Sequence, residues 1–209
     1  MRLHFLVEGP SEEAFLRQWL PRFIGAHTFN IIVHQGKGKL PDDFKAKPDK
    51  WKRGLLDLLP ATLRAYGKSL NSDTDRVVVL VDLDDQDCKQ LLKRFNRLQK
   101  SLNPSPEVVF RIAIEETEAF LLGDSRAIKQ AYPKAKISLL KHHKYDSICG
   151  TWELLQTVIR EADYEDKVEW AERIGEHLGV IWNGKKSNKS PSFCSFCKGI
   201  VALCGDMPD

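Results

Sequence analysis

The chain has 209 residues, 42% hydrophobic and 29% charged, with a formal net charge of +3. That length suits one sizeable domain, or one with a small appendage, and the small charge excess excludes a histone-like polycation. No apolar stretch reaches the ~20 residues of a membrane span, five cysteines make no disulfide framework, and an acid comes too early in MRLHFLVEGPSEE for a secretory leader; a cytoplasmic protein that enters no membrane is expected.

Arg2–Val7 (RLHFLV) is a short apolar run that stops at Glu8-Gly9-Pro10, a buried strand followed by turn residues. Ser11 suits a helix N-cap, with Glu12 and Glu13 in a first turn whose dipole favours acids. Phe15, Leu16, Trp19 and Leu20 give that helix one apolar face, and Pro21 sits where the pattern weakens. Asn30–His34 (NIIVH) is a second strand. The Gly36-Lys37-Gly38-Lys39 stretch after it lacks P-loop spacing and reads as a flexible basic loop. Lys45–Arg53 (KAKPDKWKR) is basic and leads into a helix over Gly54–Tyr66, with Leu55, Leu58, Leu59 and Leu63 at helical spacing.

Arg76–Asp87 (RVVVLVDLDDQD) carries the strongest signal. Five consecutive apolar residues, four of them valine, run into a cluster of aspartates. A run this β-branched, without polar alternation, predicts a strand buried on both faces of a parallel sheet. Strand alternation would send Asp82 and Asp84 to one side and Leu83 to the other. Asp85 and Asp87 suit a turn or helix N-cap. Gln86–Lys100 then predicts an amphipathic helix, apolar at Leu91, Leu92, Phe95 and Leu98, with Lys89, Lys93, Arg94, Arg97 and Lys100 on the remaining faces.

Glu107–Ile114 (EVVFRIAI) is a fourth strand, after which Glu115, Glu116 and Glu118 open a further helix. Four strand–helix alternations over residues 1–130 predict an α/β domain with a mainly parallel, Rossmann-like sheet flanked by helices. Residues 131–209 read as a helical extension packed on it. Within it Ala131–Gly150 is loop-like and basic, Trp152–Ala162, Glu165–Leu178 and Pro191–Leu203 are helical, and Asn183–Ser190 is polar and basic.

In a parallel sheet every strand's carboxyl end faces one crevice. Three acidic groups fall at such ends: Glu8 with Glu12, Asp82 with Asp84, and Glu115, Glu116 and Glu118. Oxygen donors without histidine suit Mg²⁺ or Mn²⁺ rather than Zn²⁺. Paired ions would activate a water and stabilise the leaving oxygen of a phosphodiester. The competing account gives Glu12 and Glu13, and two of the three late glutamates, to helix dipoles.

Val7–Glu12 (V-E-G-P-S-E), followed by a strand into Asp82-Leu83-Asp84, resembles a TOPRIM domain, the topoisomerase–primase fold. It is most similar to the small TOPRIM proteins and to the overcoming-lysogenization-defect (OLD) nucleases. The later I-E-E-T-E-A-F-L-L-G-D and N-K-S-P-S-F resemble a bacterial family of this type. The resemblance implies a metal-dependent nuclease. Glu8 would be metal ligand or general acid/base, Asp82 and Asp84 metal ligands, and Glu12 a further acid at the metals. The late acid would be Glu116 or Glu118, with Glu118 preferred. It also implies a catalytic lysine, with Lys141, Lys144, Lys185 and Lys186 as candidates. The chain lacks the OLD ATPase module, so nucleotide-driven control would need an ATPase partner, as in anti-phage defence.

Lys89, Lys93, Arg97, Lys141, Lys144, Lys185 and Lys186 are the expected contacts to DNA or RNA. Cys194-x-x-Cys197 with Cys204 lacks a second ligand pair and reads as small buried residues. A homodimer is left open. The rivals are another phosphoryl- or nucleotidyl-transfer enzyme on the same fold, and a binding module that docks on an ATPase without cutting.

Overall fold

The computed structural model describes residues 1–147, 150–160, 166–180 and 188–205. Its sheet consists of β1 (Arg2–Val7), β2 (Thr28–Val33), β3 (Asp75–Asp82) and β4 (Val108–Ala113), in the order β2-β1-β3-β4. Every pairing is parallel. The chain is thus α/β with helices on both faces of a parallel sheet. The unbroken valine run follows directly. Val78 and Leu80 enter one apolar cluster with Leu3, Phe5 and Val7, while Val77, Val79 and Val81 enter the other with Leu6.

Helix α1 (Pro10–Phe23) covers the first face; α2 (Leu55–Ser69) and α3 (Cys88–Ser101) cover the second. The helix face changes as the strand order reverses, which is what the handedness of parallel crossovers demands. The reversal falls between β1 and β3, so their carboxyl ends part and leave a crevice.

Local caps correct some expectations. Gly9, extended at φ −154°, is the N-cap of α1, with Pro10 inside the first turn. Ser11 lies one position further on. Proline suits that place because its missing N–H would have had no helical partner. Asp87 caps α3 by accepting the Gln90 N–H at 2.8 Å, as the turn reading of that aspartate required.

Beyond β4 lie α4 (Glu118–Leu122), α5 (Ser125–Ala131), a 3₁₀ turn at Ile137–Leu140, α6 (Thr151–Ile159), α7 (Lys167–Gly175) and α8 (Pro191–Cys204). They share one continuous core with α1 and the first sheet face. Backbones touch where α7 crosses α1: a Cβ on Gly175 would lie 2.9 Å from the Phe15 Cα.

The two late motifs bind each other. The Asn188 amide donates to the Phe120 carbonyl at 2.7 Å, and the Lys189 N–H donates to the Gly123 carbonyl at 2.9 Å. Asp124 accepts the Arg126, Ala127 and Gly179 N–H groups. N-K-S-P-S-F thus fastens α8 to α4, and Asp124 holds the turn between α4 and α5. Residues 132–147 of the segment read as a loop are irregular apart from the 3₁₀ turn, and Asp146 anchors them by accepting the Ser190 hydroxyl and the Ser192 N–H. Cys197 and Cys204 are buried in α8, and Cys194 is half-buried. No helix among the described residues is long and apolar enough to cross a membrane.

Candidate active site

Glu8 leaves the end of β1 and turns its carboxylate back to accept the Asp82 N–H at 2.8 Å. Pairing of β1 with β3 reaches only Leu6 and Val79, so this side chain spans the opening crevice where the ladder has stopped. Glu12 comes from the first turn of α1 and accepts the Gly9 N–H at 2.9 Å. Thr117, buried before α4, places its hydroxyl oxygen 3.0 Å from a Glu12 oxygen and 2.6 Å from an Asp82 oxygen. Glu118, also buried, follows directly. Four carboxylates from β1, α1, β3 and α4 therefore surround the switch point.

Their electrostatics are those of crowded acids. Burial pushes Glu8 up to about 8, with Glu12 and Asp84 adding repulsion and Lys37 opposing it. Glu118 is raised to about 7, again mainly by burial, with Lys167 opposing. Glu12 is raised by burial against its hydrogen bonds. Asp82 keeps some exposure, as a residue on a crevice floor does, but the surrounding protein and then Glu12 and Glu8 push it well above the carboxylate range.

Thr117 reports the same conflict by geometry. A hydroxyl has one proton to donate, yet two carboxyl oxygens lie within hydrogen-bond distance. Both contacts are satisfied only when one of those acids carries a proton and donates back.

Asp84 departs from the strand-alternation expectation. The strand ends at Asp82, and Asp84 lies beyond it with φ +52°, in the left-handed region where alternation no longer applies. Its side chain is 52% exposed and pairs at 2.8 Å with Lys37, whose own side chain is only 9% exposed. The Lys37 ammonium also donates to the Leu83 carbonyl at 3.0 Å. Asp84 is thus a crevice-mouth residue, more exposed than the other four.

The basic loop is also different from expectation. Its backbone is stitched down: the Gly36 N–H donates to the Glu8 carbonyl at 2.9 Å, and the Leu56 N–H to the Lys37 carbonyl at 2.7 Å. A second cation arrives from the C-terminal helices. Lys167 lies 3.2 Å from Glu116 and 3.7 Å from Glu118. Burial pulls its ammonium down, but Glu118 and Glu116 outweigh that and raise it. Glu116 is accordingly occupied with Lys167. Glu115, with φ +64°, accepts the Thr151 N–H at 3.1 Å and bonds the Thr151 hydroxyl at the start of α6.

Lys37, Lys167 and Thr117 were not among the expected site residues. The G-K-G-K stretch was the available signal for Lys37, and the threonine inside E-E-T-E was the signal for Thr117. Lys167 had none, because only the packing of α7 on α1 brings it in. Of the expected cations, Lys89, Lys93 and Arg97 are exposed on α3, and Lys141 and Lys144 are exposed near the 3₁₀ turn. Lys185 and Lys186 lie outside the described residues.

The donors are all hard oxygens, and their crowding is what a divalent cation would relieve, so their chemistry fits Mg²⁺ or Mn²⁺. As the side chains stand, no three His, Cys, Asp or Glu groups among the described residues form a cluster that could hold a metal. Glu8 and Glu12 are turned to backbone N–H groups, and Thr117 separates Glu12 from Asp82. Loading would therefore need those carboxylates to rotate.

Residues 7–200 match the model of a family described as a domain of unknown function, DUF4276, and the chain belongs to that family. No curated protein and no solved structure matches the chain.

Proposed function

We propose that this DUF4276 chain is an Mg²⁺-dependent phosphodiester hydrolase, a nuclease of TOPRIM type. The observation that carries the reading is the convergence of Glu8, Glu12, Asp82 and Glu118 at the β1–β3 switch point. The order of V-E-G-P-S-E and D-L-D along the chain supports it by resemblance. Glu8, Glu12, Asp82 and Glu118 would hold the cation, with Asp84 at the mouth. A bound Mg²⁺ or Mn²⁺ would supply Lewis acidity toward a phosphoryl oxygen and an acidified water.

The chain's own residues do the rest. Lys37 fixes Asp84 by a short ion pair and a carbonyl contact. Lys37 and Lys167 set fixed positive charge at the crevice, where a phosphodiester gathers negative charge in its transition state. Thr117 keeps Glu12 and Asp82 in place when no cation is bound. By the same resemblance, the nuclease would act as an effector beside a separate ATPase in anti-phage defence.

The test is incubation of the purified chain with plasmid, linear DNA and RNA, in Mg²⁺, Mn²⁺ or EDTA, beside Asp82→Ala. Cutting that requires the metal and Asp82 is expected. Cutting that survives EDTA or the substitution overturns the metal site. No cutting in any metal, with an added ATPase partner as well, leaves the chain a binding module.

A further inference from the structure

The loop between β2 and α2 carries features that the carboxylate site does not use. Residues 45–53 contain Lys45, Lys47, Lys50, Lys52 and Arg53 against one acid, Asp49. At their centre Trp51 is 81% exposed, with the Lys50 ammonium 4.9 Å from its ring centroid. An indole this exposed loses the burial that normally accounts for a tryptophan.

The loop is nevertheless pre-formed. Arg94 of α3 donates to the Leu40 carbonyl at 2.6 Å and to Asp42 at 2.9 Å, and Arg64 of α2 donates to the Phe44 carbonyl. Asp49 accepts the Trp51 N–H at 3.0 Å, closing the turn that presents the ring. The acids of the loop are thus engaged locally. Among the described residues no acid pairs with the five cations around Trp51. Both feet of the loop stand at the crevice: the Gln35 N–H donates to the Arg53 carbonyl at 3.2 Å, and the Gly36 N–H to the Glu8 carbonyl.

We infer that this loop is a docking platform for single-stranded nucleic acid, on which Trp51 stacks an unpaired base while the surrounding lysines follow the phosphates toward the carboxylate crevice. Stacking on an aromatic ring needs a base with a free π-face, which a duplex interior does not offer, and interleaved cations match the backbone charge. The inference deepens the nuclease reading by naming its substrate class, and rests on it only for what happens to the strand after docking.

The test measures anisotropy of a labelled thymidine oligonucleotide and of a labelled duplex, in EDTA so that nothing is cut. Trp51→Ala is expected to weaken single-strand binding roughly tenfold to a hundredfold, with Trp51→Phe recovering part of it and duplex binding moving far less. A Lys50→Ala, Lys52→Ala double variant should lower the slope of log affinity against log salt by about 0.7 for each phosphate it no longer neutralises. Trp51 is exposed, so thermal melting should match the parent chain and rule out misfolding. Oligonucleotide affinity unchanged in Trp51→Ala overturns the platform, as does equal weakening on duplex. Trp51-dependent binding of anionic vesicles without oligonucleotide binding overturns it too. Trp51-dependent binding in a chain that never cuts keeps the platform and removes only the nuclease reading.

Discussion

The Glu8 carboxylate accepts the backbone N–H of Asp82 across a sequence separation of 74 residues. It serves as a last rung between the end of β1 and the end of β3, beyond the point where their ladder stops. Gln at position 8 keeps the accepting oxygen and removes the charge. Glu8→Gln should therefore melt at or above the parent temperature in EDTA at pH 8.5. Its metal-dependent cleavage should fall by at least about a hundredfold, since even groups that only orient metal ligands are worth about 10–100-fold. Melting curves and cleavage rates on one preparation separate the two effects.

The elevated acids make stability depend on pH in a definite direction. Glu8 stands at about 8 and Glu118 at about 7 in the folded chain, above the ordinary glutamate value near 4.5. Below that value the acids are protonated folded or unfolded, and their contribution is fully present. As pH rises, the unfolded chain ionises first, so stability is lost progressively up to pH 7–8. Melting in EDTA should therefore fall from pH 6 to pH 8.5. In the proposed metal site a divalent cation would take the place of the protons, so the rise in melting temperature on adding Mg²⁺ should be larger at pH 8.5 than at pH 6.

Thr117 holds Glu12 and Asp82 through one oxygen. Thr117→Val keeps the shape and deletes the hydroxyl, leaving the Glu12 and Asp82 carboxyl groups facing each other. The expected cost is about 1–3 kcal/mol in EDTA near neutral pH, typical of buried polar groups left unpaired. Thr117→Ser should recover most of it. Urea denaturation of the three proteins measures the difference.

At the opposite end of the sheet, buried Asp75 binds Arg2 at 2.6 Å, His4 at 2.9 Å and the Asn71 N–H at 3.0 Å. Arg2 first, then His4, holds its carboxyl well below the usual range. Its contribution is thus present above the unfolded aspartate value of about 3.9 and is lost as pH falls below it. Asp75→Ala, which strips His4 and the Asn71 N–H of their partner, should cost about 1–3 kcal/mol at pH 7 and progressively less under acid. Cleavage by the folded fraction should be unaffected, because Asp75 lies at the amino end of β3, away from the crevice.

The strands were legible because burial on both faces leaves a plain mark, as in Val77–Val81. The acids at their ends were legible for the same reason: a polar residue ending such a run has to face the crevice or solvent. Asp84 escapes the pattern because a single left-handed residue ends alternation, and nothing in D-L-D announces it. Ser11 suggests itself as the cap because its side chain is the better acceptor, whereas Pro10 already occupies the first helical turn. Lys37 and Lys167 reach the acids through tertiary packing. Their neighbours in sequence say nothing about what they meet in space.

Gly175 has a reach beyond its own size. It lets α7 press against the backbone of α1 at Phe15, one turn from Glu12, while Lys167 stands at the far end of the same helix, about 12 Å away at ~1.5 Å per residue. Gly175 thus sets how closely α7 lies against α1, and α7 in turn carries Lys167 to Glu116 and Glu118. A methyl group there would push α7 away from α1 without touching any acid. The place of that cation beside the acids is therefore set, in part, by a residue that has no side chain to contribute.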